Sequence, residues 1–532
     1  MRKVLFLESN FRLTLLTILL TAGLINQAPT LTAGLINQAD TNLGSGFDKS
    51  NPYRELKRDI SFFTSFSNRL PGSKGLDESA KYIFKRFKDL GLKDVHFEEF
   101  RVTVPRQEKA NLFLPGGSGT QAIPDLIRGS GHHDGGLDKS SPYIDGGLDK
   151  SSPYIDGGLD KSSPYIAGGE VLGLQLIWPN LIYLSSLPEG GIEAPLIRLS
   201  SAKLADLKGK RVAGSIVVLD FDTGSDWLNL PRLGAKAVIF VEPELIFRRE
   251  AEKKFLSTPL PFPRFFILQK EAKKIRKSFY PRVRLESKAG WQEERARNII
   301  GKIEGSDPQL KREVIILEAY YDSISIVPQL SPGAESSLGI VSLLQLIKVF
   351  KEHPPKRTII FLATSAHFQG LSGIRAFISR HFSELESKKL NLVLFVGLDL
   401  SSHNDELGVF FKGMYYNQLD SRNRLKRFFS DFATDCREIS KEIQERAKIK
   451  GVPLHDGVNP IEGRGWESFL FGDYAFDHEA ITLAGGPGVG LVTTDDARIF
   501  VDTPSDTSSN LNFKNFEKQV RDLSLLLPKI VN

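Results

Sequence analysis

Three titratable side chains, Asp322, His367 and Asp399, each follow a short apolar segment in the C-terminal half of the sequence. Glu335 and Asp502 are two further carboxylates in polar stretches of the same region. Imidazole and carboxylate groups can together hold a divalent cation, or they can transfer a proton near neutral pH. These residue types therefore indicate metal-dependent hydrolysis or acid–base chemistry, provided that the fold brings them into one cleft.

The segments that precede these residues have the composition of buried parallel strands. Residues 314–319, 358–363 and 392–398 are short and almost continuously apolar, as expected of strands covered on both faces. A helix is predicted over 338–350, between the first two strands. This order predicts an α/β fold with a doubly wound, mostly parallel sheet flanked by helices, in which the site lies beyond the carboxyl ends of the strands.

The N-terminal half has elements of the same kind. Residues 77–90 place their apolar side chains on one helical stripe, and Gly91 ends the predicted helix. Residues 212–221 and 235–241 are two more apolar segments, which we interpret as buried strands. The α/β pattern therefore extends through both halves of the chain.

Composition narrows the class of protein. The 532 residues are enough for two or three domains with buried cores. A net charge of +6, from 70 basic and 64 acidic residues, argues against a dedicated nucleic-acid binder, and we expect no nucleic-acid partner. The single cysteine, Cys436, excludes a four-cysteine zinc ribbon, an iron–sulfur cluster and an intrachain disulfide, and we expect it to be structural.

The first 28 residues have the features of a secretory signal peptide. A positively charged start is followed by an apolar run over 13–25, and Ala28 is a suitable cleavage position. The run is too short for a comfortable membrane span, and no later segment is long enough for one. We therefore expect export to the periplasm, the cell envelope or the medium. The alternative is an uncleaved N-terminal membrane anchor.

Tandem repeats with a period of eleven residues occur in two stretches. A unit at 20–30 recurs at 31–41, and three copies of a second unit fill 134–166. The second unit is rich in Gly, Asp, Ser and Pro and poor in apolar residues, which is typical of solvated segments. We predict a flexible repeat linker over 29–52 and a low-complexity loop over 116–167.

From Arg297 to the C-terminus, the sequence resembles the M28 family of zinc aminopeptidases and carboxypeptidases. The resemblance rests on short motifs that occur in the family's order. These motifs are RNIIGKIEG at 297–305, EAYYDS at 318–323, PGAESSLG at 332–339, AHFQGLSG at 366–373, GLDL at 397–400, the pair Asp477-His478 followed by AGGPG at 484–488, and DTPSDT at 502–507.

The N-terminal half also resembles larger members of this family. Residues 70–75, before an amphipathic helix, resemble the family's usual opening, and we assign 53–115 to the N-terminal part of the peptidase-like domain. Residues 168–290 resemble a protease-associated-type α/β insert. The peptidase-like domain itself is assigned to 295–532. The resemblance therefore implies one peptidase-like domain that is interrupted by a low-complexity loop and by an inserted domain.

The departures from the family occur at the positions that bind metal. The resemblance implies five ligands for two zinc ions and a glutamate as general base. Asp399 is kept as a ligand, and Asp322 is kept as a supporting aspartate. The altered positions are Tyr320 and Asp502 in place of histidines, Glu335, Ser336 and Ser337 in place of the segment with the bridging aspartate, and His367 and Phe368 in place of a glutamate pair.

Two functions follow from these residues. The first is a catalytically degenerate peptidase fold, without a cofactor, that binds a peptide or protein ligand or acts as a scaffold in the cell envelope. The alternative is a metal-dependent aminopeptidase whose altered site holds zinc or another single divalent metal. The residues of that alternative site are the ligands Glu335, Asp399 and Asp502, the general base His367, and the supporting residues Asp322 and His478. Convergence of these side chains favours the alternative, whereas a cleft filled by Tyr320 and Phe368 favours the first function.

Overall fold

The computed structural model describes residues 54–115, 169–178, 183–256, 260–387, 389–411, 424–447, 454–456, 476–494 and 498–532. The signal peptide predicted at 1–28, the linker predicted at 29–52 and the loop predicted at 116–167 lie outside the described residues. In the part that is described, no helix combines the length and the apolar character needed to cross a bilayer.

Strands and helices alternate through most of the described part of the chain. The strands are β1 (Lys93–Leu114), β2 (Glu170–Gly173), β3 (Gln175–Leu176), β4 (Ile192–Leu199), β5 (Ile216–Asp220), β6 (Ala237–Val241), β7 (Arg264–Ile267), β8 (Phe279–Ile303), β9 (Glu313–Tyr320), β10 (Thr358–Thr364), β11 (Asn391–Asp399), β12 (Leu407–Phe410), β13 (Leu454–Asp456) and β14 (Gly488–Thr493). The helices are α1 (Arg54–Thr64), α2 (Lys74–Asp89), α3 (Asn229–Arg232), α4 (Arg248–Glu252), α5 (Gln269–Ala272), α6 (Leu338–Glu352), α7 (Ser372–Glu386), α8 (Arg424–Ala447), α9 (Asp477–Leu483) and α10 (Phe513–Val531). Each helix and strand predicted from the sequence is present among them.

These strands form one mixed sheet in the order β13-β12-β14-β11-β9-β10-β8-β4-β5-β6-β7-β3, with β1 beside β8 and β2 beside β1. Strands β10, β9, β11 and β14 are parallel to one another, and so are β4, β5, β6 and β7. We call the first group, with the helices packed on it, the first lobe, and the second group, with α3 to α5, the second lobe. The predicted α/β architecture is therefore confirmed, with a parallel group of strands in each lobe.

The sheet of the first lobe is covered on both faces. On β9, Ile315 and Leu317 join an apolar cluster formed with α1, α2, α6 and α10. Val314 and Ile316, which alternate with them, join a second cluster with α7 and α9. Because successive side chains of a strand point to opposite faces, a strand covered on both sides must be apolar throughout. That requirement explains the continuous apolar segments in the sequence.

Strand β8 connects the two lobes. It is antiparallel to β10 of the first lobe and to β4 of the second lobe, and it also pairs with β1 along most of its length. The boundary predicted at 290–295 lies inside this strand rather than in a loop. Residues 288–295 lack an apolar run because most of their side chains are exposed, so no hydrophobic pattern marks them as a strand.

Close packing between α6 and β11 places the start of that helix near the site. A Cβ atom on Gly339 would lie 2.5 Å from the backbone oxygen of Leu398, so only glycine permits this approach. Glu335, which lies in a short turn just before α6, is thereby brought toward the carboxyl end of β11, where Asp399 lies.

Candidate functional site

The carboxyl ends of β9, β10 and β11 form the floor of the candidate site. Asp322 lies two residues beyond β9, His367 lies three residues beyond β10, and Asp399 is the last residue of β11. All three are buried. Because these strands are parallel neighbours, their carboxyl ends lie at one edge of the sheet. Asp322, His367 and Asp399 therefore lie at the same edge of the sheet.

His367 is held by a carboxylate that the sequence analysis did not include in the site. Its Nδ1 lies 2.7 Å from Oδ2 of Asp477, and its backbone N–H donates to Oδ1 of Asp322 at 3.2 Å. An ionised carboxylate only accepts hydrogen bonds, so Nδ1 carries the proton in this pair. Asp477 begins α9, and its position directly before His478 in a family motif was the available signal.

Tyr320 and Phe368 pack around His367. The rings of Tyr320 and His367 are stacked with centroids 4.1 Å apart, and Phe368 meets both rings at their edges. Tyr320 and Phe368 also join an apolar cluster that includes Trp227 and Phe240 of the second lobe. Tyr320 and Phe368, which stand at two of the family's metal-ligand positions, therefore contribute apolar packing between the two lobes.

Asp399 is paired with a buried arginine. Nη1 of Arg498 lies 3.0 Å from Oδ1 of Asp399, and Nη2 donates to the backbone oxygen of the same residue at 3.3 Å. The two side chains are only 1% and 6% exposed. Since Arg498 is 99 residues away in sequence and lies in no family motif that we recognised, no local pattern indicated this contact.

Asp502 is paired with an arginine from the second lobe. Nε of Arg248, on α4, lies 3.3 Å from Oδ2 of Asp502, and the two side chains are 3% and 0% exposed. Nη2 of Arg248 also lies 3.4 Å from Oε1 of Glu252. The two residues of the pair are 254 positions apart, so no local pattern in the sequence indicated Arg248.

Glu335 is bound by backbone and hydroxyl groups. Its Oε2 accepts a hydrogen bond from the N–H of Ser402 at 2.7 Å, and its Oε1 accepts one from Oγ of the same serine at 2.6 Å. His403 Nε2 lies 3.4 Å from Oε1. The backbone N–H of Glu335 donates to Asp506 Oδ1 at 2.9 Å. Glu335 therefore joins β11, the turn before α6 and the C-terminal loop.

Burial controls the charge of the surrounding groups. Burial, reinforced by the Asp477 carboxylate, raises the pKa of Glu318 well above its usual value, and burial raises the pKa of Asp322 to about 6. Burial likewise raises the pKa of Asp506 well above its ordinary range, with the Glu335 carboxylate adding to the effect. The site is thus crowded with carboxyl groups whose ionisation is costly without nearby cations.

His478 serves packing rather than the acid–base network. Burial lowers its pKa to about 3, so the ring is neutral at physiological pH. The ring lies 5.5 Å from the centroid of Phe410 and 5.6 Å from that of Phe476. An aromatic environment of this kind favours the neutral imidazole.

The fit of these side chains to the two-zinc centre implied by the family resemblance is poor. Asp399 and Asp502 face guanidinium groups, and both oxygens of Glu335 accept hydrogen bonds from Ser402. Throughout the described ranges, no three His, Cys, Asp or Glu side chains are arranged to hold a metal ion. The present arrangement satisfies the ligand-position carboxylates with protein donors instead.

Comparison with known proteins agrees with this architecture. Residues 298–525 match the model of peptidase family M28. Over these residues, which are less than half of the chain, the sequence is similar to the M28 peptidase family. A zinc aminopeptidase from Bacillus subtilis has a similar fold, with a TM-score of 0.53 and 18% identity over 90% of this chain and 95% of that chain. At this level of identity, the likeness supports the M28 fold alone.

Two curated relatives of the M28 domain come from fungi. The chain is 38% identical over 96 residues to a vacuolar membrane protease of Laccaria bicolor, which is 18% of this chain and 9% of that protein. It is 33% identical over 96 residues to a vacuolar membrane protease of Schizophyllum commune, covering 18% and 10% of the two chains. The match therefore spans about a tenth of the length of these relatives.

Proposed function

We propose that this M28-family chain is an exported protein that binds a peptide or protein ligand without hydrolysing it, as a binding or scaffolding component of the cell envelope. The observation that carries the proposal is the ring stack at the family's ligand and base positions, where Tyr320 lies 4.1 Å from His367 and Phe368 packs against both. Phe368 has no donor atom for a metal, and a neutral phenol is a poor zinc ligand.

A peptide ligand is supported by the kind of protein that shares this fold and sequence. The similar structure from Bacillus subtilis is a zinc aminopeptidase, and the fungal relatives are proteases. A peptidase fold that has lost its metal ligands keeps the strand ends and loops that shape a peptide-binding cleft. Export is supported by the charged start and apolar run within residues 1–28.

The test is a turnover assay with a matched variant. Purified full-length protein is incubated with zinc, cobalt or manganese and a panel of aminoacyl amides and short peptides, beside an Asp399→Ala control. We expect no metal-dependent turnover. Turnover that disappears in the control contradicts the proposal, whereas turnover that persists in the control identifies a contaminating peptidase. Peptide binding is measured by fluorescence anisotropy with labelled versions of the same peptides. If none of them binds, the proposal of a peptide ligand is refuted.

A metal-dependent aminopeptidase with an altered site is the second candidate, and one contact favours it. The 2.7 Å pair between His367 and Asp477 orients the imidazole as a carboxylate orients a catalytic histidine. Zinc or another single divalent metal would supply the Lewis acid in such an enzyme. The turnover assay above separates the two candidates.

A further inference from the structure

We propose that Arg498 and Arg248 are built-in cations of this site, which take over the electrostatic role of metal ions in the family and bind the second lobe to the first. The proposal rests on two ion pairs and on the contacts of one loop. It concerns how the site is held together, so it stands apart from whether a peptide ligand binds. It explains how the kept ligand Asp399 and the carboxylate Asp502, which stands in place of a histidine, are both compensated.

The pair between Asp399 and Arg498 supplies the first cation. A buried carboxylate without a counter-charge is strongly disfavoured, because it loses its hydration without compensation. The Arg498 guanidinium compensates Asp399 twice, through Oδ1 at 3.0 Å and through the backbone oxygen at 3.3 Å. A rigid fork that contacts side chain and backbone of one residue also fixes the end of β11.

The pair between Asp502 and Arg248 supplies the second cation from the other lobe. Both side chains are almost fully buried, and Arg248 also contacts Glu252 on its own helix. Asp502 stands where the family resemblance implies a metal-binding histidine. A carboxylate at this position is therefore matched to a cation that reaches it only when the second lobe is docked.

The loop 498–505 is clamped between the lobes by more than this ion pair. The backbone N–H of Arg248 donates to the oxygen of Ile499 at 2.8 Å, and the N–H of Ile246 donates to Ser505 Oγ at 2.9 Å. Phe247 and Phe500 are stacked with ring centroids 5.6 Å apart. These contacts join the loop to α4 and to the residues just before it.

The backbone of the same loop is strained at both charged residues. Arg498 has φ +44° and Asp502 has φ +66°, in the left-handed region that most side chains avoid. Such conformations persist only where the surrounding contacts determine them. Both residues with positive φ belong to these ion pairs, so the arginines both neutralise the carboxylates and hold the loop in its shape.

The closing experiment is a double-mutant cycle on the pair between the lobes. Arg248→Met, Asp502→Asn and the double variant are compared with the wild type by urea unfolding, with Arg249→Met on the exposed side of the same helix as the matched control. We expect each single change to raise the unfolding equilibrium constant about a hundredfold. The increase in the unfolding equilibrium constant of the double variant should be about tenfold or more smaller than the product of the two single increases. The unfolding equilibrium constant of the control should be close to that of the wild type. Additive single effects overturn the proposal.

Two further measurements test the proposal, zinc binding and hydrogen exchange of the loop 498–505. We expect the wild type to unfold at the same urea concentration in zinc chloride as in EDTA. We expect hydrogen exchange in the loop 498–505 to accelerate in Arg248→Met. We expect exchange to remain slow in Arg248→Lys, because this variant keeps the positive charge. Arg248→Lys also provides a test if Arg248→Met does not fold. About one tightly held zinc ion per chain that Asp399→Asn removes would overturn the proposal, as would unchanged exchange in Arg248→Met. Zinc binding without turnover would refute the built-in cations yet leave the noncatalytic function intact.

Discussion

Arg69 offers a direct test of how the loops of the site are held. It is fully buried, and its guanidinium donates to four backbone oxygens, those of Tyr321 at 2.9 Å, Phe63 at 2.8 Å, Pro332 at 2.6 Å and Gly333 at 2.9 Å. Burial lowers its pKa to about 10, so the side chain remains a cation at neutral pH. One side chain thus joins α1 to the loops on either side of the site.

The change Arg69→Met keeps most of the side chain's bulk and removes all of its donors. Four buried backbone oxygens then lose their hydrogen-bond donor. Each unsatisfied buried acceptor costs at least about 1 kcal/mol of folding free energy. The expected loss is about 4 kcal/mol in the free energy of unfolding, which lies in the range where a single change is diagnostic of a buried network. For a folded unit of nearly 400 described residues, at about 2.1 cal/mol/K of unfolding entropy per residue, the melting temperature should fall by roughly 5 °C.

The assay is equilibrium unfolding in urea, extrapolated to water, with thermal melting as a second measurement. Arg54→Met, at an exposed position on the same helix as Phe63, is the control and should change the free energy by less than about 0.5 kcal/mol. Arg69→Lys keeps the positive charge but lacks the planar guanidinium group with its several donors. Its free energy of unfolding should lie between those of Arg69→Met and the Arg54→Met control. A loss below about 1 kcal/mol for Arg69→Met would refute the reasoning, because it would mean that the four oxygens find water or other donors.

Three further predictions concern other parts of the chain. The hydrogen bond to Glu98, with a second from Glu384, raises the pKa of His381, so its contribution to stability is present below about pH 6.5 and is lost as the pH rises through the raised value. Wild type should therefore exceed His381→Gln in free energy of unfolding by more at pH 5.5 than at pH 8.5, and an equal difference would contradict this. Burial raises the pKa of the Cys436 thiol to about 12, so Ellman's reagent should label it only after unfolding, and rapid labelling of the folded protein would count against a structural role. N-terminal sequencing of protein from its native host should begin shortly after Ala28, and an intact Met1 would end the export hypothesis.

The motifs and the main elements of the first lobe could be predicted because their signals are local. Strands covered on both faces must be apolar throughout, so the segments at β9, β10 and β11 stood out in the sequence. The polar residues that follow them then had to share one edge of the sheet. The departures from the family's residue types at Tyr320 and Phe368 were likewise visible, since they depend on residue type alone.

The long pairing of β1 with β8 was not predictable in the same way. The exposed middle of β8 has no apolar periodicity, and its strand conformation depends on ladder hydrogen bonds to a partner almost two hundred positions earlier, from Lys93 paired with Lys302 to Phe113 paired with Arg284. The division of the chain into lobes, and the strand that connects them, therefore became clear only in the folded sheet.

What replaces the metal ligands was decided by tertiary structure alone. The sequence indicates that Asp399 is kept and that Asp502 stands in place of a histidine, but their partners Arg498 and Arg248 lie 99 and 254 positions away. One of 70 basic residues becomes the counter-ion of a given carboxylate only when the backbone brings the two within about 3 Å in a place without water. Residue type shows where the chain departs from the family's ligands, whereas the positions of distant side chains in the folded chain determine which charges face the remaining carboxylates.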